Sequence, residues 1–530
     1  MKTILKDIEE SGYGLFCRIS GKDRHVTSGK EVLLERSARK EKEFIELEML
    51  VKNNTHKKIN LYSAVVCEFV LEDSCHTKEV LEHGFLQCSF SSYRKPWQHT
   101  KRKSIFLIRN QNQNSFEKKY GYMDKSIVSE WFTCIRMKRS SLIIGASTTA
   151  KQFSAIYVRK EKDGLRVRVI CQFDGIILTP GASIKTERIF FCLGDEQKAL
   201  NAFADKTAEN MNVQYDGRSI RGLCCSYYWN GNNVSEEIVL KDLKTLENLN
   251  SKLVDFVQID AGYFEKWGDW HDYKRKFPSG MKLLVNKIKK KGYKAGIWIA
   301  PFTAKKDSKL FRDHIDWIIK DKKNRPMKIG VTESSDLVTG NCLFPVDVTN
   351  EEVKKYISKV ISSFKKDGFE LFKIDFLFSA CILNIKQDKI TRAQALREGV
   401  EMIRKIAGES YIISAISPLS PLVGLVDSAR IGIDSGLPHF TSVPVLGTLV
   451  NNHLLTEDIR NAEIRMFMNK ILWSNDLDCI ILKNFVDLNH PLLKKQLRLI
   501  KEHKLPLWIG DKLGSLNKKE IELLKSMIRL

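Results

Sequence analysis

The chain has 530 residues, of which 43% are hydrophobic and 28% charged, and its formal net charge is +23. This length exceeds what one hydrophobic core organises, so we expect two or more globular domains. Such a positive charge can indicate a nucleic-acid partner. Here, however, the charge is dispersed through segments such as NKIKKKGYK (Asn286–Lys294). Because no nucleic-acid-binding module accompanies the charge, we predict no nucleic-acid partner.

The N-terminal stretch MKTILKDIEESGYG reaches charged residues after a few apolar ones, so it lacks the apolar core of a signal peptide. No apolar run approaches the roughly 18 residues that a membrane-spanning helix needs. The 12 cysteines are scattered and show no metal-ligand spacing. These patterns predict a cytoplasmic protein with no membrane partner, no metal and no cofactor. They leave the oligomeric state open, a homo-oligomer included.

The first 200 residues contain short β-branched and aromatic runs, such as LYSAVVCEFVLE and FSAIYVRKEKDGLRVRVICQFDGIIL. Turn signals such as KDG and PGA separate these runs. We predict an antiparallel β-sandwich over residues 1–200. The segment DEQKALNAFADKTAENMNV has helical spacing, and it predicts a linker helix that we assign to residues 201–220.

From residue 221 the pattern alternates between short apolar strands and amphipathic helices. This alternation predicts a (β/α)8 TIM barrel, an α/β fold, over residues 221–505, with a doubly wound open sheet as the alternative. Residues 506–530 are expected to form a short C-terminal segment. The eight predicted strands begin near Arg221, Leu253, Tyr293, Asn341, Phe369, Tyr411, Ser428 and Asp476.

Acidic residues follow several of these predicted strands. The carboxyl ends of parallel barrel strands meet at one mouth, so acids at those ends share a site. A lone Asp at a strand end more often caps the following helix, and Asp347, which precedes Thr349 and Asn350, fits that role. The four acids at such positions are Asp260, Asp347, Asp375 and Asp434.

Asp375 and Asp434 are the strongest candidates for chemistry. Asp375 lies in FELFKIDFL, an apolar strand in which a charge is costly unless it is paired or working. Two such carboxylates suit cleavage of a glycosidic bond. Lys373 shares a strand face with Asp375, where its charge would keep Asp375 ionised. Arg430 lies four residues before Asp434 and would project the same way. Trp298, in GIWIAPF, fits either the core or a platform for a sugar ring.

Several stretches, taken in order, resemble glycoside hydrolase family 36, the microbial α-galactosidases or melibiases. They are FVQIDAGY, GDW, KFPSGMK, GIWIAPF, FKIDFLFSA, TRAQALREG, PLVGLVDSARIGID and WSNDLDCIIL. The resemblance implies a β-sandwich followed by a (β/α)8 barrel. It also implies that a small carbohydrate, a terminal α-linked galactose or a related sugar, is hydrolysed with retention by double displacement. By resemblance, Asp375 is the nucleophile and Asp434 the general acid/base, whereas the sugar-binding residues are Asp260, Trp298, Lys373 and Arg430.

The chain also departs from the family's pattern. Ala261 stands where the family has the second of two adjacent Asp residues, Ser226 where it has a stacking Trp, and Ala415 where it has a Cys. These changes keep alternatives open. They are an α-glycosidase for a different or substituted sugar, a glycosyl-transferring relative similar to raffinose synthases, and a non-catalytic sugar-binding relative.

Overall fold

The computed structural model describes residues 2–84, 91–95, 126–224, 227–249, 252–321, 323–330, 340–384, 388–436, 444–485 and 487–528. The chain forms two compact units. The first comprises Met1–Gln214, Cys381–Glu398 and Pro418–Gly424, and the second Tyr215–Ala380, Gly399–Ser417 and Leu425–Leu530.

The first unit is built on two antiparallel sheets whose facing side chains share one core. Residues such as Leu15, Leu61 and Phe173 from one sheet pack with Met49 and Val51 from the other. The first sheet has the order Lys22–Val26, Gly12–Ile19, Ile59–Glu72, Gly164–Leu178, Phe153–Lys160, Ile127–Glu130. The second has the order Ser183–Lys185, Phe44–Asn53, Ile189–Gly194, Ser141–Ala146, Phe132–Arg136, Glu79–Glu82, Ser92–Arg94, with Val32–Lys40 beside Phe44–Asn53. The predicted β-sandwich is confirmed.

Two helices, Lys2–Glu9 and Glu196–Asn210, also belong to the first unit. Asp195 caps the second helix by accepting a hydrogen bond from the backbone N–H of Lys198 at 3.0 Å. Phe203 of this helix packs against sandwich aromatics. The helix expected as a linker therefore begins before residue 201 and contributes to the sandwich core.

The second unit is a parallel barrel. Its strands are, from first to eighth, Arg221–Cys224, Phe256–Ile259, Lys294–Ile299, Leu371–Ile374, Tyr411–Ser414, Ser428–Arg430, Ser474–Asp476 continued by Cys479–Ile480, and Leu507–Ile509. The seventh strand is broken at Leu477 and Asp478. Its first part pairs with the sixth strand and its second part with the eighth, which also pairs with the first. The strands thus follow one another around the sheet, as in the predicted (β/α)8 barrel and unlike a doubly wound sheet.

Helices lie between and after the barrel strands. Their bounds are Tyr227–Asn230, Glu236–Asn248, Met281–Lys290, Lys309–Asp313, Glu351–Asp367, Arg392–Ala407, Pro444–Arg465, Pro491–His503 and Lys518–Ser526. Among the described residues, none of the helices combines the length and apolar character needed to cross a membrane.

Two strand predictions are wrong. The strand expected near Asn341 is Leu343–Pro345, which pairs antiparallel with Thr303–Lys305 outside the barrel sheet. The eighth barrel strand is Leu507–Ile509, which lies inside the segment expected to follow the barrel. Both strands have three residues, too few to show a hydrophobic period. The sequence pattern therefore could not distinguish a strand outside the barrel sheet from a barrel strand.

Candidate active site at the barrel mouth

Five charged side chains from three barrel strands meet at the carboxyl end of the barrel. Lys373 Nζ lies 2.9 Å from Asp260 Oδ2, which joins the fourth strand to the end of the second. Arg430 Nη1 lies 3.3 Å from Asp434 Oδ1, at the end of the sixth strand. Asp375 and Asp434 interact electrostatically across this mouth. The structure therefore brings five of the six predicted site residues into one charged cluster.

Asp375 is held by two N–H donors. Trp298 Nε1 donates to its Oδ2 at 3.0 Å, and the backbone N–H of Phe376 donates to its Oδ1 at 2.7 Å. Phe376 has a φ of 53°, an uncommon value for an aromatic residue that often marks functional sites. Burial raises the pKa of Asp375 above its usual value, whereas Lys373 and the two donors lower it.

Lys373 pairs with Asp260 rather than with Asp375. As expected, the charge of Lys373 also favours the ionised form of Asp375, but its ion-pair partner is Asp260. Asp260 also accepts a hydrogen bond from the side chain of Gln258 and one from the backbone N–H of Ala261 at 2.8 Å. Burial alone would lower the pKa of Lys373, but the charge of Asp260 holds it well above its usual value. The pair is thus a buried ion pair that supports one wall of the mouth.

Trp298 is buried, with 2% of its surface exposed. It packs in an aromatic cluster with Phe264, Trp267 and Trp270. Of the two predicted environments for Trp298, the structure therefore favours the core. Its polar contact is the indole N–H on Asp375, which orients the carboxylate.

Asp434 faces a different environment, rich in carboxylates around one guanidinium. Arg430 contacts Asp434, and it also forms ion pairs with Asp476 at 3.1 Å and Asp478 at 2.7 Å. The side chain of Asp434 is 39% exposed, whereas those of Asp476 and Asp478 are buried. Although part of the side chain is exposed, the surrounding protein removes water from the carboxyl group of Asp434 and raises its pKa to about 6; Asp478 and Asp375 add to the rise, and Arg430 opposes it. Near neutral pH this carboxyl group can therefore both hold and release a proton.

Sequence reasoning missed four residues at this site. Burial and the charges of Asp434, Asp260 and Asp375 raise the pKa of Tyr227, which lies within electrostatic reach of these acids. Tyr228 donates a hydrogen bond from its hydroxyl to Asp478. Asp476 and Asp478 stand in WSNDLDCIIL, where the sequence pattern placed the start of a strand at Asp476 instead of its carboxyl end.

The remaining sequence candidates fall outside the charged cluster. Asp347 accepts hydrogen bonds from the backbone N–H and the hydroxyl of Thr349, so it stabilises the turn before the helix, whereas the helix itself is capped by Asn350 rather than by Asp347. Ala261 and Ala415 are buried beside Asp260 and the fourth strand, respectively. Ser226 lies outside the described residues. Within the described ranges, no three His, Cys, Asp or Glu side chains are grouped to hold a metal ion.

Part of the barrel is similar in sequence to a known protein family. Residues 246–394 match the melibiase family, and this stretch includes Asp260, Trp298, Lys373 and Asp375. This part of the barrel is therefore similar to the melibiase family. The match ends before Arg430 and Asp434, so it covers one side of the mouth.

Curated relatives match this chain over short stretches. The α-galactosidase AgaA of Geobacillus stearothermophilus is 25% identical over 199 residues, 35% of this chain and 25% of its own. An Escherichia coli α-galactosidase is 38% identical over 68 residues, 12% of this chain and 10% of its own. A Flavonifractor plautii enzyme named A type blood α-D-galactosamine galactosaminidase is 27% identical over 161 residues, 29% and 14% of the two chains. The match thus spans a quarter or less of each of these relatives.

The fold as a whole is shared with solved α-galactosidases. The Thermus thermophilus enzyme, solved with p-nitrophenyl α-D-galactopyranoside, superposes with a TM-score of 0.69 at 19% identity and covers 98% of this chain and 94% of its own. The Geobacillus stearothermophilus AgaA structure reaches 0.63 at 15% identity, covering 98% and 74% of the two chains. At these identities the likeness concerns the fold.

Proposed function

We propose that this protein is a retaining α-glycosidase, resembling the α-galactosidases, that hydrolyses a terminal α-linked galactose or a related sugar. The observation that carries the proposal is the unequal environment of two facing carboxylates. Asp375 is fixed by N–H donors, which suits a nucleophile, whereas Asp434 has a pKa of about 6, which suits a proton donor. Pairs of acids whose environments separate their pKa values are typical of glycosidases.

In the proposed reaction Asp375 attacks the anomeric carbon while Asp434 protonates the departing oxygen. The bond from Asp375 to the sugar then breaks when water attacks, and Asp434 takes the proton of that water. Lys373, Asp260 and Arg430 line the mouth and are proposed to bind sugar hydroxyls, with Trp298 positioning Asp375. The two steps need no redox partner, and both protons pass through Asp434.

The test is turnover of an aryl α-galactoside by wild-type protein and by Asp375→Ala. Loss of the nucleophile should lower kcat by roughly 10⁴-fold or more, and azide, a small external nucleophile, should restore part of the activity with inverted product. A folded wild-type protein that turns over no aryl α-glycoside would contradict the proposal. Covalent labelling of Asp375 by a fluorinated glycosyl donor separates an enzyme from a sugar-binding relative, and product analysis at high acceptor concentration separates hydrolysis from transfer.

A second candidate is an α-glycosidase for a different or substituted sugar. It is favoured by Ala261, which offers no polar side-chain atom and whose N–H is already engaged by Asp260. A charged hydrogen bond is worth about 1.5–3 kcal/mol, so this position should bind a galactose hydroxyl more weakly than an Asp would. A panel of aryl α-galactoside, α-glucoside and 2-amino-substituted α-galactoside tests it, with Ala261→Asp as the matched variant. Clear preference of the wild type for plain galactose would exclude this candidate.

We further propose that the enzyme acts in the cytoplasm on small oligosaccharides. The described cysteines are all free, which supports a reducing compartment. Activity and cysteine state in a cytoplasmic extract, compared with a secreted fraction, test this assignment.

A further inference from the structure

A buried acid, Asp478, lies behind Asp434 at the break in the seventh barrel strand. Its side chain is fully buried and its φ is 62°, an uncommon value for a residue other than glycine. Its backbone N–H donates to the side chain of Asp476 at 2.9 Å instead of continuing the strand ladder. Such backbone departures are costly and persist where the surrounding contacts impose them.

The carboxylate of Asp478 joins three elements of the mouth. It accepts a hydrogen bond from the backbone N–H of Ser435 at 2.8 Å, directly after Asp434. It pairs with Arg430 at 2.7 Å, and it accepts the hydroxyl hydrogen of Tyr228 from the segment after the first strand. Asp478 therefore fixes the backbone next to Asp434 and shares its guanidinium partner.

We propose that Asp478 is a positioning residue for Asp434: its carboxylate anchors the backbone at Ser435, and its fixed negative charge keeps a proton on Asp434 for delivery to the leaving oxygen. The inference rests on the proposed glycosidase function. It assigns Asp478 no contact with the substrate, since the residue acts through Asp434.

The electrostatics agree with this geometry. Burial alone would raise the pKa of Asp478, but Arg430, Lys373 and the hydrogen bonds from Tyr228 and Ser435 bring it below its usual value. Asp478 therefore stays charged. After burial, this charge is the largest influence that raises the pKa of Asp434.

Another buried acid, Asp458 on helix Pro444–Arg465, serves as a contrast. Neither of its carboxylate oxygens has a hydrogen-bond partner among the described residues, and burial raises its pKa well above the usual value. This favours the neutral form, so Asp478 supplies the fixed charge. The groups that face Asp434 and Asp478 from all packed elements are Asp375, Lys373, Arg430, Asp476, Tyr227, Tyr228, Asp458 and Cys479.

The experiment compares wild-type protein with Asp478→Asn in the pH dependence of kcat/KM. Asp434 must be protonated for the first step, so kcat/KM falls as the pH rises through its pKa, near 6. Removing the charge of Asp478 makes that proton easier to lose, so this basic limb should move down by about one pH unit. The loss at neutral pH should be about tenfold for an aryl glycoside with a poor leaving group and small for a dinitrophenyl glycoside, which needs little protonation.

The matched control is Tyr228→Phe, which removes a hydrogen bond to Asp478 without removing charge, so the basic limb should not move down. A fall in kcat/KM of Asp478→Asn that is equal at every pH, with the basic limb unmoved, would overturn the proposal and leave a structural role.

Titration of Asp434 by carboxyl ¹³C NMR, assigned with Asp434→Asn, needs neither turnover nor a folded Asp478 variant. A wild-type Asp434 titrating near pH 4 would also overturn it. Absence of wild-type turnover would instead contradict the glycosidase function alone.

Discussion

The two sides of the barrel mouth use the same residue type in opposite ways. On the side of the fourth strand, Asp375 receives hydrogen bonds from Trp298 and Phe376, and Lys373 is satisfied by Asp260. On the side of the sixth and seventh strands, Arg430 contacts Asp434, Asp476 and Asp478 together. On the first side, Asp375 has its own N–H donors and Asp260 has its own ammonium partner. On the second side, three carboxylates share one guanidinium group.

The neighbours of each acid, rather than its position at a strand end, therefore determine whether it suits the role of nucleophile or of proton donor. The carboxylate of Asp375 is oriented by two N–H donors, which favour its ionised form against the burial that raises its pKa. One that shares a guanidinium with two other acids is favoured to keep a proton. A bell-shaped pH profile should follow, with its acid limb governed by Asp375 and its basic limb by Asp434.

The largest effect that tests this comparison is expected from Asp434→Ala. Loss of a general acid should lower kcat/KM by roughly 10²–10⁴-fold for a poor leaving group, because the departing oxygen then leaves unprotonated. For a dinitrophenyl glycoside the first step should change little, and azide should speed release of the glycosyl enzyme. Initial rates across a leaving-group series measure this dependence. An equal loss for all leaving groups would mean that the two sides do not differ in role.

Sequence pattern predicted the sandwich, the barrel and the six candidate residues, because strand alternation and ordered motifs extend over many residues. It misplaced Asn341 and missed Leu507–Ile509, since three-residue strands carry no period. It related the charge of Lys373 to Asp375 but missed the ion pair with Asp260, because spacing on one strand cannot reveal a partner on another. Tyr228 and Asp478 were missed because their contact joins segments 250 residues apart.

An intermediate effect is expected from Lys373→Met, on the first side of the mouth. The change leaves Asp260 as a buried unpaired carboxylate, which should cost about 3–5 kcal/mol of unfolding free energy. It should also lower kcat/KM about thirtyfold through the lost charged contact. Thermal unfolding and kinetics measure both. The double variant with Asp260→Asn should recover part of the stability, and a double variant as unstable as the sum of the two single changes would argue that the pair is not coupled.

The smallest and most selective effect is expected from Trp298→Phe, which removes an N–H donor from Asp375 and keeps an aromatic ring in the cluster. Asp375 must be ionised to attack, so kcat/KM falls as the pH drops through its pKa. Losing a donor raises that pKa, so the acid limb should move up by about one pH unit, with roughly a tenfold loss below it. The basic limb should stay in place, in contrast to Asp478→Asn. A shift of the basic limb instead would show that the two sides titrate as one unit.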